Sequence, residues 1–142
     1  MSHPDEILVT THDFRDLQRA IARELDAGRI FSLPLLVNRL SRARTVPPEQ
    51  VPADCITMHS LARYFDEHSA TLQECILVYP GHQRASSKMV SVTSELGAVL
   101  LGLREGRRAR WEGVRGNRTV RLVRVLHQPE RHAAGEERAL PP

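Results

Sequence analysis

Residues 90–106 read VSVTSELGAVLLGLREG, and the rest of the chain is best understood from what this stretch requires of its neighbours. Val90 and Val92, on either side of Ser91, have the β-branched character of a short strand, and Ser94 followed by Glu95 offers a helix N-cap with an acid in the first turn. The helix predicted over 96–101 presents Leu96, Val99, Leu100 and, just beyond it, Leu103 as an apolar face for a sheet. Gly97 and Gly102 flank that helix, and Gly102 and Gly106 bracket the turn that leaves it. Such a motif specifies packing: it contains no nucleophile, general base or metal-ligand set.

Working outward, two strands are predicted after the motif, over 108–112 and 118–126, joined by the turn Gly113-Val114-Arg115-Gly116-Asn117. Before it, β-like runs at 55–58, 61–65, 72–79 and 89–92 are separated by polar or Gly-containing turns such as Pro80-Gly81. The segment PPEQVP, 47–52, reads as a linker. Upstream of it, Ile7 to Val9 is strand-like, Thr10 and Thr11 are candidate N-caps, and Phe14, Leu17, Ile21 and Leu25 recur at helical spacing until Gly28. Ser32 as a cap and Pro34 in the first turn introduce a second helix, striped by Leu33, Leu36, Val37 and Leu40. The expected fold is α+β: a short N-terminal strand and antiparallel helical hairpin of coiled-coil type over 1–50, a β-sheet domain with one short helix over 53–128, and a flexible tail over 129–142.

Composition agrees with a globular chain: 142 residues, 41% hydrophobic and 26% charged, but only 4% aromatic, so the core must rest on Leu, Val, Ile and Ala. Lys88 is the single lysine, leaving nearly every positive charge on a guanidinium suited to carboxylate or phosphate. The formal charge of +3 hides an asymmetry, because residues 104–142 hold ten Arg against five Glu. Cys55 and Cys75 form no CxxC pair and lie in apolar stretches, as buried free thiols in a reducing compartment do. Early acids and a short apolar run argue against a signal peptide, and no stretch reaches transmembrane length, so a cytoplasmic protein without membrane contact is expected.

The 90–106 stretch resembles the signature of the C-terminal domain of Gre transcript-cleavage factors. With VPADCITMHSLARYF (51–65), ILVYP (76–80) and a closing strand that ends in Gln128-Pro129, the chain over about 8–130 is similar to the Rnk family, regulators of nucleoside diphosphate kinase that join a shortened hairpin to a Gre-type domain. This resemblance implies an FKBP-like fold, bacterial RNA polymerase as partner, docking near the mouth of its secondary channel, and no cofactor. It also implies polymerase-binding residues in the turn and helix region, Ser94, Glu95, Arg104 and Arg107, and secondary contacts at the hairpin tip from Glu24, Asp26, Arg29 and Phe31. The effect on nucleoside diphosphate kinase named by the family is expected to be indirect, and the oligomeric state is left open. Two positions depart from the Gre pattern: Ser94-Glu95 stands where Ser-Pro is usual, and Gly106-Arg107 where Gly-Asp is frequent.

Gre factors use paired acids at the hairpin tip to help hold a catalytic magnesium ion in the polymerase. Here Glu24 and Asp26 are flanked by Arg23 and Arg29, which compete for carboxylates that a hard cation needs free, and they read as solvated helix-end charges. The Arg-rich segment of Arg104, Arg107, Arg108, Arg110, Arg115, Arg118, Arg121 and Arg124 allows weak nucleic-acid contact, although only Trp111 lies among them as a stacking partner. An acidic protein surface would attract the same charges. Seven scattered histidines lack zinc-ligand spacing, and no G-x-S-x-G elbow is present. The competing enzymatic reading is a peptidyl-prolyl isomerase, but Tyr64, Phe65, Tyr79 and Trp111 are few aromatics to line a proline pocket.

Overall fold

The computed structural model describes residues 7–84 and 88–133. It is a mixed α+β fold, built in the order β1 (Ile7–Thr10), α1 (Thr11–Asp26), α2 (Leu33–Ser41), β2 (Ala43–Val46), β3 (Leu61–Asp66), β4 (Thr71–Val78), β5 (Met89–Ser91), α3 (Glu95–Leu100), β6 (Arg108–Gly113), β7 (Gly116–His127) and α4 (Pro129–Ala133). A five-stranded sheet runs β5-β4-β3-β7-β6, antiparallel except for the β4–β5 pair. A second, two-stranded sheet pairs β1 with β2 in parallel, a connection that α1 and α2 together make.

The strand alternation is legible in the burial. On β3 Ala62, Tyr64 and Asp66 face inward, and they are joined by Val120 and Leu122 of β7 and by Ala109 and Trp111 of β6. Val99 and Leu100 of α3 lie on this face, while Ala98 and Leu101 turn the other way into a second apolar cluster containing Val9, Leu17, Leu36 and Leu40. The motif helix is thus packed on two sides at once. Its glycines explain how it fits: a Cβ on Gly97 would lie 2.0 Å from the Ser91 carbonyl oxygen. Gly102, at φ +79°, leaves room for Ile7, whose Cγ2 would lie 2.1 Å from a Cβ there.

Ser94 caps α3 as expected, its hydroxyl accepting the Gly97 N–H at 3.1 Å, and Thr10 caps α1 by accepting the Asp13 N–H at 3.0 Å. Several expectations are corrected. Ser32 occupies the N-cap position of α2 in a left-handed conformation, φ 65°, and its side chain makes no cap bond. Leu25, expected on the buried stripe of α1, is 56% exposed, and Glu24 is buried instead; Val37 is also exposed. Residues 55–58 are buried but irregular: Cys55 makes an isolated bridge with Arg104, and Ile56 and Met58 pack into the two apolar clusters. β2, ARTV, was hidden from a pattern reading because it has no apolar alternation.

The expected tail begins with packed structure. Gln128 is buried and donates from Nε2 to the carbonyl oxygens of Pro52 and Cys55, at 2.8 and 2.7 Å. In α4, Glu130 accepts a hydrogen bond from Thr57 Oγ1 at 2.7 Å and Arg131 donates to the Val51 carbonyl. Residues 134–142 of that expectation lie outside the described residues.

Candidate docking site

The turn between α1 and α2 is shaped by its backbone. Arg29 N–H donates to the Glu24 carbonyl at 2.9 Å, Gly28 adopts φ +74°, and Ser32 completes the reversal. That geometry brings the Arg29 guanidinium onto the Glu24 carboxylate, with Nε to Oε2 at 2.5 Å. The Glu24 side chain is 6% exposed and the Arg29 side chain 68%, so the acid is covered and its cation is the surface. Asp26 is exposed, and Phe31 projects with 76% of its surface free, beside exposed Leu25 and Ile30. The tip therefore offers apolar and cationic surface, and one of its two acids is withdrawn.

Facing the tip are the Pro80-Gly81 turn and the entrance to α3. Glu24, Arg29, Phe31, Gly81, Ser94 and Glu95 line one open cleft of about 890 Å³. Two groups of residues that are remote in sequence, the tip and the start of the motif helix, thus share a surface. Ser94 itself is occupied: its hydroxyl donates to the Ser91 carbonyl at 2.6 Å as well as accepting from Gly97. Glu95 lies further round, its carboxylate 3.2 Å from where a Gly113 Cβ would stand.

Arg104 and Arg107 belong elsewhere. Arg104 binds Asp54 through Nε and Nη2, at 3.0 and 2.8 Å, and so fastens the loop before β3 to the turn after α3. Arg107 is exposed at the start of that turn's exit. The other arginines divide between structure and surface: Arg118 pairs with Asp66 at 2.8 Å and lies 5.8 Å over Trp111, whereas Arg108 grips Glu67 at 2.7 Å from a largely exposed position.

Residues 51–127 match the family profile of the C-terminal domain of the transcription elongation factors GreA/GreB. The regulator of nucleoside diphosphate kinase of Escherichia coli K12 is 34% identical, over 82% of this chain and 93% of its own length, as is that of Shigella flexneri. A solved structure, the prokaryotic transcription elongation factor GreA/GreB from Nitrosomonas europaea, superposes with a TM-score of 0.68 at 30% identity, covering 85% of this chain and 99% of that one. The chain belongs to the Rnk and GreA/GreB family. The family is one of transcription elongation factors and related regulators, and the mixed fold described above is its fold.

Within a family member of this kind the remaining polar groups have structural assignments. Burial pushes both the Cys55 and the Cys75 thiol up to about 12, which leaves them protonated and unreactive at neutral pH. Among the described residues no group of His, Cys, Asp and Glu is arranged to hold a metal ion, and no helix is long and apolar enough to cross a membrane. Sequence reasoning missed the burial of Glu24, although Leu17, Ala20 and Glu24 stand at spacings of three and four on one face. It also missed Gly81 and Gln83 opposite the tip, for which local sequence carries no signal.

Proposed function

We propose that this protein binds bacterial RNA polymerase through the Gre-type domain, with α1 and α2 acting as a short hairpin of coiled-coil type directed at the secondary channel. There it competes with Gre-type factors and does not stimulate transcript cleavage. The five-stranded sheet with α3 serves as the FKBP-like docking body, and the cleft shared by Phe31, Arg29, Ser94 and Glu95 is the contact surface, with Arg104 and Arg107 as outlying contacts. The observation that carries this reading is the covered Glu24 carboxylate beneath an exposed Arg29: a carboxylate held by its own guanidinium is a poor ligand for a second metal ion. Reach supports it too, since the 16 residues of α1 span only about 24 Å at the helical rise. Any effect on nucleoside diphosphate kinase is then exerted through transcription.

The isomerase reading receives no support from the aromatic side chains, because Tyr64 and Trp111 are 7% and 8% exposed beneath α3. The test adds excess protein to stalled, backtracked polymerase in magnesium buffer and follows the RNA 3′ end. Suppression of Gre-stimulated cleavage, with displacement of the Gre factor, is the expected result. Cleavage products that appear with this protein alone and vanish with Glu24→Ala and Asp26→Ala would overturn the proposal, as would failure to displace the Gre factor at saturation.

A further inference from the structure

The five-stranded sheet has α3 on one face, and on the other, toward β6, several side chains are exposed. Alternate residues of its last three strands in spatial order point there: Phe65 from β3, Thr119 and Arg121 from β7, Arg108 and Arg110 from β6. The register sets them in rows, with Arg121 opposite Phe65 on one side and Arg108 on the other, and Thr119 opposite Arg110. Like charges directly opposite on neighbouring strands destabilise a sheet; at the Arg121–Arg108 juxtaposition Glu67 supplies an anion to Arg108, which leaves Arg121 as the cation of the pair with no carboxylate on it among the described residues. Of the acids nearby, Glu67 holds Arg108 through two hydrogen bonds, Glu74 accepts from Arg63 and Lys88, which hold its carboxyl below the ordinary range, and Glu112, exposed two residues from Arg110 on β6, is in no ion pair among the described residues. Arg110 is exposed and makes no hydrogen bond or ion pair among the described residues.

We propose that this face binds single-stranded nucleic acid. Arg108 and Arg110, with Asn117 and Thr119, line a shallow depression of about 440 Å³ furnished with guanidinium, amide and hydroxyl groups, which suits phosphate and sugar oxygens. Residues two apart on a strand stand about 7 Å apart, a spacing that an extended single strand matches phosphate by phosphate. The Arg121 guanidinium lies 5.7 Å over the Phe65 ring, and its outer plane is a platform on which a base stacks. A stacking platform needs unpaired bases, which a single strand offers and a duplex keeps stacked within itself. The exposed apolar surface beside this row is small, Leu72 next to Phe65, against the broad apolar centre that a protein interface buries.

This inference is independent of polymerase docking, since it uses the other face of the sheet and is measured without polymerase. Fluorescence anisotropy of labelled oligouridylate of about 20 nucleotides is compared with oligothymidylate, a duplex of equal length and labelled polyglutamate, between about 50 and 200 mM salt. Both single strands are expected to bind more tightly than the duplex and than polyglutamate. Arg108→Gln and Arg110→Gln are each expected to weaken binding roughly three- to tenfold and to flatten the salt dependence by about 0.7 in log–log slope. Phe65→Leu is expected to weaken binding with the slope unchanged, and thermal melts followed by circular dichroism verify that each variant is folded. No binding at the lowest salt, folded variants that bind like the wild type, or polyglutamate bound as tightly as RNA would each overturn the proposal, the last in favour of an acidic protein partner.

Discussion

Asp13 lies in the first turn of α1, where its carboxylate accepts the Met58 N–H at 3.1 Å. Burial pushes its pKa up to about 6, against the lowering effect of that hydrogen bond, and the nearby Glu130 and Asp16 carboxylates add to the rise. The folded value stands above the ordinary 3.8 of an unfolded chain, so between about pH 4 and 6 the folded protein binds this proton more readily than the unfolded one. Stability from this residue therefore falls as pH rises through that window, and the full cost persists above it. Asn at this position cannot ionise, yet its side-chain oxygen still accepts from Met58. Asp13→Asn is expected to remove the slope and to gain on the order of 1–3 kcal/mol relative to the wild type at neutral pH. Urea denaturation at several pH values measures it, and parallel profiles for the two proteins would refute the assignment.

At the scale of elements, legibility in the sequence followed the range of the interactions that decide each one. α3 was readable because its cap, its glycines and its apolar face lie within a dozen residues, and β3, β6 and β7 because alternation shows which side is buried. β2 was not, since Ala43-Arg44-Thr45-Val46 becomes a strand only by pairing with β1 more than thirty residues earlier. Residues 55–58 looked like a strand because they are apolar, but they are buried as a loop, Cys55 against Leu8 and Gln128 and Ile56 and Met58 in the two apolar clusters. The cleft between the tip and Ser94–Glu95 was hidden for the same reason, although Glu24, Arg29, Phe31, Ser94 and Glu95 were each named singly. α4 is the clearest case of a non-local element: five residues of modest helix propensity are held by Gln128, Glu130 and Arg131. Gln128→Ala leaves the Cys55 carbonyl without its side-chain donor and the Pro52 carbonyl with the Cys55 N–H alone, and is expected to cost about 1–3 kcal/mol. A shift in the denaturant midpoint reads this; an unchanged midpoint would mean that water replaces the amide at no cost.

For the whole molecule, the arrangement of the cores decides whether the helical segment and the sheet behave as separate bodies. One apolar cluster joins Val9, Leu17, Leu36 and Leu40, from before residue 47, to Met58, Leu77, Val92, Ala98 and Leu101 from beyond it. Leu17, Leu36 and Leu77 are fully buried there, and β1 is held further by Leu8 against Val51 and Cys55. Each large aliphatic side chain buried in this way contributes roughly 1.5–3 kcal/mol, and the sum over the four on the N-terminal side is comparable to the roughly 5–15 kcal/mol by which a domain is stable at all. Neither side is therefore expected to survive alone. The full chain is expected to unfold in one transition, with calorimetric and van't Hoff enthalpies equal. A fragment beginning at residue 51 would expose the Met58, Leu77 and Leu101 surface and is expected to lack a cooperative melt and to bind a hydrophobic dye. If that fragment instead melts cooperatively within a few degrees of the intact protein, the shared cluster contributes little and the helices are an appendage that the sheet does not need.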